Sequence, residues 1–220
     1  TLTNALVGTK VAITSAKPQT TRRAIRGIVH RPTGQLILVD TPGVHRPRTL
    51  LGKRLNDLVE STLADVDVIA QLIPAPDAVG PGDRFIRQIL DAHPTAKKVA
   101  IVTKADLAGS QTITQRLIEV DQMGSWDVII PLSAVSGYQM DVLVDQLIAL
   151  LPESPALYPA ENLHDDSTDT RIAELIREAA LDDVRDELPH SIAVVVDERV
   201  TPPGGVEKIF ATIVVERDSQ

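Results

Sequence analysis

The sequence contains no cysteine and very few aromatic residues. Without cysteine there are neither disulfide bonds nor thiolate metal ligands, which fits a reducing compartment. One Trp, two Tyr and two Phe are too few for a platform on which nucleic-acid bases would stack. No apolar run approaches the roughly 20 residues that span a bilayer, and no signal peptide is expected. The five histidines are scattered and lack metal-ligand spacing.

The 220 residues suffice for one ordinary domain and a small second one, and their net charge of −8 is unevenly distributed. Residues 1–58 carry ten Lys and Arg against two Asp, a balance of +8, so the remainder sums to −16. A basic N-terminal third indicates either a surface for an anionic ligand or nucleic acid, or simply a solvated basic face.

Short apolar, β-branched runs alternate with stretches of helical spacing over the first 150 residues. The predicted strands are the runs at 10–14, 36–40, 66–70, 98–102 and 128–132. The predicted helices cover 51–63, 85–90 and 142–150. Strands that alternate with helices predict an α/β domain with a largely parallel sheet.

The alternating pattern stops after residue 151. Pro152, Pro155 and Pro159 punctuate an acidic, polar stretch that is typical of a linker. A helix is predicted from about residue 170, followed by strands at 192–196 and 209–215. We therefore predict an α/β domain at 1–152, a linker at 153–170 and a second, α+β domain at 171–220.

The sequence Asp40-Thr41-Pro42-Gly43 directly follows an apolar strand. An Asp at the carboxyl end of such a strand can hold Mg²⁺, usually through water. A Gly two or three residues further on lets the backbone N–H approach a phosphate. Taken alone, this pattern is also that of an ordinary turn.

Two further loops follow buried strands. Thr103-Lys104-Ala105-Asp106 offers a carboxylate that can accept hydrogen bonds from N1–H and the exocyclic amine of guanine, a pair that adenine lacks. The stem of Lys104 can pack along the base. The small residues of Ser133-Ala134-Val135 would let backbone amides reach the carbonyl oxygen of the base. Each motif alone can be a plain loop, but their shared order and strand-end position favour a guanine-nucleotide site.

These motifs resemble the Era family of ribosome-assembly GTPases. Residues 4–8, 11–15 and 19–22 resemble the segment from the end of the family's P-loop helix through switch I, and residues 40–45 resemble the start of switch II. The family's base-recognition elements are matched by residues 103–106 and 133–135. Past the linker, residues 173–178, 186–191 and 215–220 resemble the opening of the family's C-terminal KH domain.

The resemblance implies a P-loop NTPase-type, mostly parallel sheet followed by a KH domain. It implies GTP or GDP with Mg²⁺, beside which a monovalent cation is left open. Thr20 or Thr21 together with Asp40 would contact the metal. Small-subunit ribosomal RNA and the 30S subunit are the expected partners, with no DNA. The location is expected to be cytoplasmic, with peripheral association at the inner face of the cell membrane left open.

The chain departs from the family pattern at both ends. The family's Gly-x-x-x-x-Gly-Lys-Ser loop would precede Thr1, and its Gly-x-x-Gly RNA clamp would follow Gln220. We therefore expect an incomplete sheet without its first strand, a partial KH domain, and no GTPase activity of the chain as given. Thr103 stands where the family more commonly has Asn. Val44 stands where Ras-type enzymes have a water-orienting Gln, so slow hydrolysis is expected.

Two other functions are open on sequence grounds. One is a related GTPase that acts in tRNA modification or on the large subunit, which the match at 186–191 disfavours. The other is a non-catalytic RNA-binding or interaction protein whose nucleotide site is vestigial.

Overall fold

The computed structural model describes residues 2–15, 20–44, 50–183 and 192–215, and gives only the backbone of 182 and 183. Within these residues it has six α-helices and seven β-strands. The helices are α1 (Leu2–Val7), α2 (Leu50–Asp65), α3 (Pro81–Asp91), α4 (Ser110–Asp121), α5 (Met140–Leu150) and α6 (Thr168–Asp183). The strands are β1 (Ile25–Arg31), β2 (Gly34–Asp40), β3 (Val68–Pro74), β4 (Lys97–Thr103), β5 (Val128–Pro131), β6 (Ile192–Val200) and β7 (Lys208–Val215).

A parallel sheet of order β3-β4-β5 confirms the predicted α/β architecture. Its central strand, β4, has four consecutive buried residues, 99–102. Alternate side chains of a strand point to opposite faces, so an unbroken apolar run requires cover on both sides. Val99 and Ile101 accordingly belong to one core cluster, whereas Ala100 and Val102 belong to another.

The sequence did not predict an antiparallel hairpin of β1 and β2, which pair from Ile25 opposite Asp40 to Arg31 opposite Gly34. The sequence of β1 lacks the apolar pattern typical of a strand, because Arg26, His30 and Arg31 stand among its apolar residues. The hairpin shares its core with the parallel sheet, since Val29 and Leu36 pack with residues of β4, β5 and α5.

The predicted strand at 10–14 was wrong. Val11, Ala12 and Ile13 are buried, but the segment is irregular. Its amides bond a side chain rather than a strand: Val11 N and Ala12 N donate to Oδ1 of Asn4 at 2.9 and 2.8 Å. The Asn4 Nδ2 group donates in return to the Ala12 carbonyl at 2.8 Å. The apolar run therefore reports burial, not strand pairing.

The segment predicted as a linker lies against the β1–β2 hairpin and the residues before it. Backbone N–H of Ile28 donates to the Leu163 carbonyl at 2.9 Å, and Gly27 forms an isolated antiparallel bridge with His164. Side-chain contacts run alongside, joining Arg23 with Asp166, Arg26 with Asp165, His30 with Asn162 and Gln35 with Tyr158. The segment predicted as a linker thus lies along the edge of the hairpin.

The C-terminal part consists of α6 and the antiparallel pair β6–β7, as the pattern beyond residue 170 predicts. Helix α6 begins at Thr168, slightly before the predicted boundary. All eight residues of β7 are exposed. Residues Gln19 and His45 and the motif segments 186–191 and 216–220 lie outside the described residues, as do 16–18, 46–49, 184 and 185. Among the residues that are described, no helix is long and apolar enough to cross a membrane.

Candidate nucleotide-binding site

The two predicted base-recognition loops lie side by side at the carboxyl ends of β4 and β5. Backbone N–H of Ala105 donates to the Leu132 carbonyl at 3.0 Å, and Leu132 N donates to the Val102 carbonyl at 2.8 Å. On the other side, Ala75 N donates to the Thr103 carbonyl at 2.7 Å. These bonds join Ala105 to Leu132, the residue before Ser133, so the structure places the two motifs next to each other.

The loop after β4 turns sharply at Lys104, whose backbone is left-handed at φ 57° and ψ 38°. Non-glycine residues adopt this conformation at a cost, and such residues cluster at functional sites. The turn leads into a short 3-10 helix, Ala105–Leu107. It buries Ala105 and leaves Lys104 and Asp106 exposed, so the carboxylate of Asp106 is accessible to a ligand.

The loop after β5 is fixed by its first residue. Ser133 is fully buried, and its Oγ accepts a hydrogen bond from Ser136 N at 3.1 Å. Its own N–H donates to the Tyr138 carbonyl at 3.1 Å. The loop closes through Gly137 at φ +75°, where a side chain would be strained. Ala134 is half-buried and Val135 is exposed at the rim.

Asp40 ends β2 and is partly buried. Desolvation raises the pKa of its carboxyl group, against an opposing hydrogen bond from the Thr41 backbone. Among the described residues no Lys, Arg or His forms an ion pair with it. A carboxylate at a strand end fits Mg²⁺, which commonly binds through one or two carboxylates and substrate phosphates.

The described residues contain no cluster of three or more His, Cys, Asp or Glu that could hold a metal by itself. Asp40 would therefore need a hydroxyl and the phosphates of a nucleotide as further ligands. Thr41 and Val44 are half-buried and Pro42 is buried. Gly43 is exposed, and a Cβ built on it would meet nothing within 4 Å. The loop after β2 thus leaves room for a phosphate.

Thr20 and Thr21 are both half-buried in the irregular segment that leads into β1. Because Ile25 pairs with Asp40, this segment enters the hairpin at the end where β2 stops. Either hydroxyl is a candidate ligand of the metal. Helix α6 holds residues 14 and 20, since Arg177 donates to the Thr20 carbonyl and Glu178 accepts from Thr14.

Sequence reasoning missed Arg177 and Glu178. They sit among other charged residues of an amphipathic helix, where nothing distinguishes a buried arginine from an exposed one. Only the three-dimensional structure shows that the Arg177 side chain is 3% exposed.

Four of the ten basic residues of the N-terminal third form ion pairs within the chain. Arg23 pairs with Asp166, Arg26 with Asp165, Arg31 with Asp141 and Lys10 with Glu178. Neither predicted alternative describes these four cations, which face acidic residues of the C-terminal half. Lys53 and Arg54 are exposed on α2, whereas Lys17, Arg46 and Arg48 lie outside the described residues.

An open hollow of about 510 Å³ lies at the opposite, amino-terminal edge of the sheet. Its lining mixes both charges, including Arg87, Lys97, Asp91 and Asp127, and contains none of the predicted site residues. The guanidinium of Arg87 stacks on Trp126 at 4.2 Å and is held by Asp91 at 2.7 Å. These contacts describe a packed structural arginine, so the strand-end loops remain the candidate site.

Comparison with known proteins finds relatives of this chain among GTPases. The protein-family model described as a 50S ribosome-binding GTPase matches residues 1–105. The curated GTPase Era of Streptomyces coelicolor is 56% identical over 230 residues, which cover 100% of this chain and 73% of that protein. The GTPase Era of Mycobacterium avium is 57% identical over 225 residues, covering 100% of the chain and 75% of the relative.

Solved structures give the same result. A crystal structure of Era in complex with MgGDPNP and nucleotides 1506–1542 of 16S ribosomal RNA superposes with a TM-score of 0.93 at 30% identity. It covers 99% of this chain and 74% of that one. An Aquifex aeolicus Era variant bound to GDP·AlF4⁻ also gives 0.93 at 30% identity, covering 99% and 75%. The placement of α6, β6 and β7 on the rest of the chain is therefore shared with nucleotide-bound relatives.

Proposed function

Because the chain belongs to the Era family of GTPases, we propose that the protein binds GTP with Mg²⁺, hydrolyses it slowly and binds small-subunit ribosomal RNA in the cytoplasm, assisting assembly of the 30S subunit. One observation carries the proposal: the two base-recognition loops are bonded together at the strand ends, in a chain that superposes over 99% of its length on Era with MgGDPNP and 16S ribosomal RNA.

The guanine base is assigned to the loops after β4 and β5. The exposed Asp106 carboxylate accepts from N1–H and the 2-amino group, and the Lys104 stem packs along the base. Thr103, whose carbonyl is already bonded to Ala75, anchors the loop. Backbone amides of 133–135 face the carbonyl oxygen of guanine. Polar pairs that a bound base covers discriminate strongly, since a base without the matching groups leaves them unpaired.

The phosphates and Mg²⁺ are assigned to the loop after β2 and to the segment before β1. Asp40 and the hydroxyl of Thr20 or Thr21 would hold the metal, which neutralises phosphate charge when bound. Gly43 leaves space for the γ-phosphate. Val44 offers no hydrogen bond to an attacking water, which supports slow hydrolysis.

The RNA is assigned to the second domain. We place the boundaries at 1–152 for the GTP-binding domain, 153–170 for the linker and 171–220 for the N-terminal part of a KH domain. The α6–β6–β7 order supports this division, as does the superposition on an RNA-bound relative. A non-catalytic protein with a vestigial site is not favoured, because the relatives that match the whole of this chain are GTPases.

The test uses the full-length protein, because the relatives are longer than this chain. Titration with fluorescent GDP and a non-hydrolysable GTP analogue, with and without Mg²⁺, gives affinity and metal dependence. Competition by ATP gives base selectivity, and phosphate release gives turnover. We expect guanine-specific, Mg²⁺-dependent binding, slow turnover and retention of a 3′-terminal 16S RNA fragment. Equal competition by ATP would remove the base assignment, and a lack of turnover would favour the non-catalytic alternative.

A further inference from the structure

Two consecutive residues of α6 hold the segment that carries the candidate metal ligands. The Arg177 Nη2 group donates to the carbonyl of Thr20 at 2.8 Å. The carboxylate of Glu178 accepts from Thr14 N at 2.8 Å and from Thr14 Oγ1 at 3.3 Å, and it pairs with Lys10. The described residues on both sides of 16–19 are therefore fixed by one helical turn.

The Arg177 guanidinium is itself held rigidly. It is almost fully buried, and Glu174 accepts from its Nε at 3.0 Å and from its Nη2 at 2.6 Å. A planar guanidinium that donates two hydrogen bonds to one carboxylate keeps little rotational freedom. Its remaining bond is therefore directed at the Thr20 carbonyl as part of a rigid unit.

Apolar packing and one further bond reinforce the contact. Ile13, from the segment before Thr14, packs with Leu181 of α6 and Ile192 of β6. The Arg22 Nη1 group donates to the Ile192 carbonyl at 2.6 Å. Residues 13, 14, 20 and 22 are thus held by side chains and backbone of the C-terminal part.

The neighbouring charges fix the state of Glu178. Burial alone would raise the pKa of its carboxyl group, but the Lys10 ammonium and the Thr14 N–H outweigh it and lower the pKa. The group is a carboxylate at neutral pH and acts as an acceptor only.

We infer that Arg177 and Glu178 are positioning residues for the GTP-bound state, which they favour by ordering the segment of Thr20 and Thr21 before the γ-phosphate arrives. The inference rests on the proposed function, because it requires one of these hydroxyls to meet Mg²⁺ and the γ-phosphate. Ordering a loop costs conformational entropy, and contacts within the chain that hold the loop reduce the part of that cost that falls on binding. GDP has no γ-phosphate to meet the ordered segment, so the gain in affinity is specific to GTP.

The experiment compares affinities for a non-hydrolysable GTP analogue and GDP in the full-length protein. Arg177→Lys keeps a positive charge beside Glu174 but cannot bond the carboxylate twice and the Thr20 carbonyl at once. Glu178→Gln keeps the shape and weakens the bond from Thr14. For each variant we expect the affinity for the GTP analogue to fall about tenfold, with GDP affinity changed by less than about twofold.

Arg116→Lys is the matched control. Arg116 is equally buried, pairs with Glu119 three residues on, and donates to a backbone carbonyl, that of Ala75. Its loss disturbs packing similarly, yet the GTP-to-GDP affinity ratio should not move. Melting temperatures of all three variants identify general destabilisation.

The outcomes separate the inference from the proposed function. Guanine-nucleotide binding by the parent together with an unchanged ratio in both α6 variants would overturn the inference alone. Equal weakening of GTP and GDP would also overturn it, since that describes a merely structural role. If Arg177→Lys does not fold, Glu178→Gln decides. A parent protein that binds neither nucleotide would refute the proposed function itself.

Discussion

Arg23 and Asp166, 143 residues apart in the sequence, form a two-pronged ion pair with Nη1–Oδ1 at 2.6 Å and Nη2–Oδ2 at 2.7 Å. The Asp166 side chain is only 9% exposed, so it depends on this partner. We expect Arg23→Gln to lower the free energy of unfolding by about 2 kcal/mol, the range for hydrogen bonds to charged groups. Urea denaturation of the full-length protein measures the change.

Arg26 provides the control for that prediction. Its pair with Asp165 has one bond of 2.9 Å, and the arginine side chain is about half exposed. Arg26→Gln should therefore cost well below about 1 kcal/mol. A double-mutant cycle of Arg23→Gln with Asp166→Asn should give a clear coupling energy. Additive effects would show that the Arg23–Asp166 pair contributes nothing to stability.

Replacement of Asp106 by Asn should change which base is bound. The substitution exchanges an acceptor for a donor, so the affinity for GTP should fall on the order of 100-fold and preference should move toward xanthine nucleotides. Competition against a fluorescent guanine nucleotide measures both. Asp145→Asn, an exposed change on α5, should leave the affinity unaltered. An unchanged GTP affinity in Asp106→Asn would take this residue out of the base site.

Because Lys104 has a left-handed backbone, two substitutions can separate the effect of its side chain from the effect of its backbone strain. Lys104→Gly removes the side chain and the backbone strain, whereas Lys104→Ala removes the side chain only. We expect the Gly variant to be more stable than the Ala variant by about 1 kcal/mol, with nucleotide affinity reduced equally in both.

Gln139, at φ 57° before α5, gives the comparison outside the proposed site. Its Gly variant should likewise exceed its Ala variant in thermal stability, without loss of nucleotide affinity. If Lys104→Gly were no more stable than Lys104→Ala, the turn after β4 would not be strained.

The carboxylate of Asp127 should make part of the stability depend on pH. It accepts from Lys98 N at 2.8 Å and pairs with Lys97 at 3.2 Å, and these groups, led by the backbone bond, lower its pKa below 3.8. A lowered pKa means that the folded state binds the proton less readily than the unfolded state. The stabilisation is therefore complete above pH 3.8 and is lost as the pH falls through the lower folded-state value.

Asp127→Asn tests this dependence. The difference in unfolding free energy between parent and variant should be below about 1 kcal/mol at neutral pH, since the side chain is exposed, and should shrink toward zero below pH 3.8. Chemical denaturation at several pH values measures it. A difference that stays constant across that range would mean that the Asp127 charge has no part in stability.

The strand-end loops could be predicted from sequence because each follows a local apolar run. Residues 99–102 are continuously apolar since two core clusters cover them, and Asp106 and Ser133 follow at loop distances. The strand β1 could not be predicted, because Arg26 and His30 interrupt its pattern to bond residues of the linker. The apolar run at 10–14 led to a wrong strand prediction, because Ile13 is buried by packing against Leu181 and Ile192 and not by pairing in a sheet.

Composition predicts a linker at 153–170, but the docking of this segment on the hairpin could not be predicted from it. Gln35 bonds Tyr158 across 123 positions, and such pairings leave no periodic trace in either segment. Part of the positive charge in residues 1–58 is paired within the same chain, through Lys10, Arg23, Arg26 and Arg31. A charge count shows that a segment can bind oppositely charged groups, but it does not show whether these belong to the same chain or to a ligand.

The hold of α6 on residues 14 and 20 also has a consequence for synthesis. Glu178 and Arg177 are made 164 and 157 residues after the residues they bind. At 5–20 residues per second, a nascent chain carries this segment without its supports for roughly ten to thirty seconds. The loops after β4 and β5 can be joined much earlier, because Ala105 and its partner Leu132 are only 27 residues apart. In the proposed site, the loops assigned to the base would therefore form before α6 supports the segment of Thr20, the one assigned to the γ-phosphate.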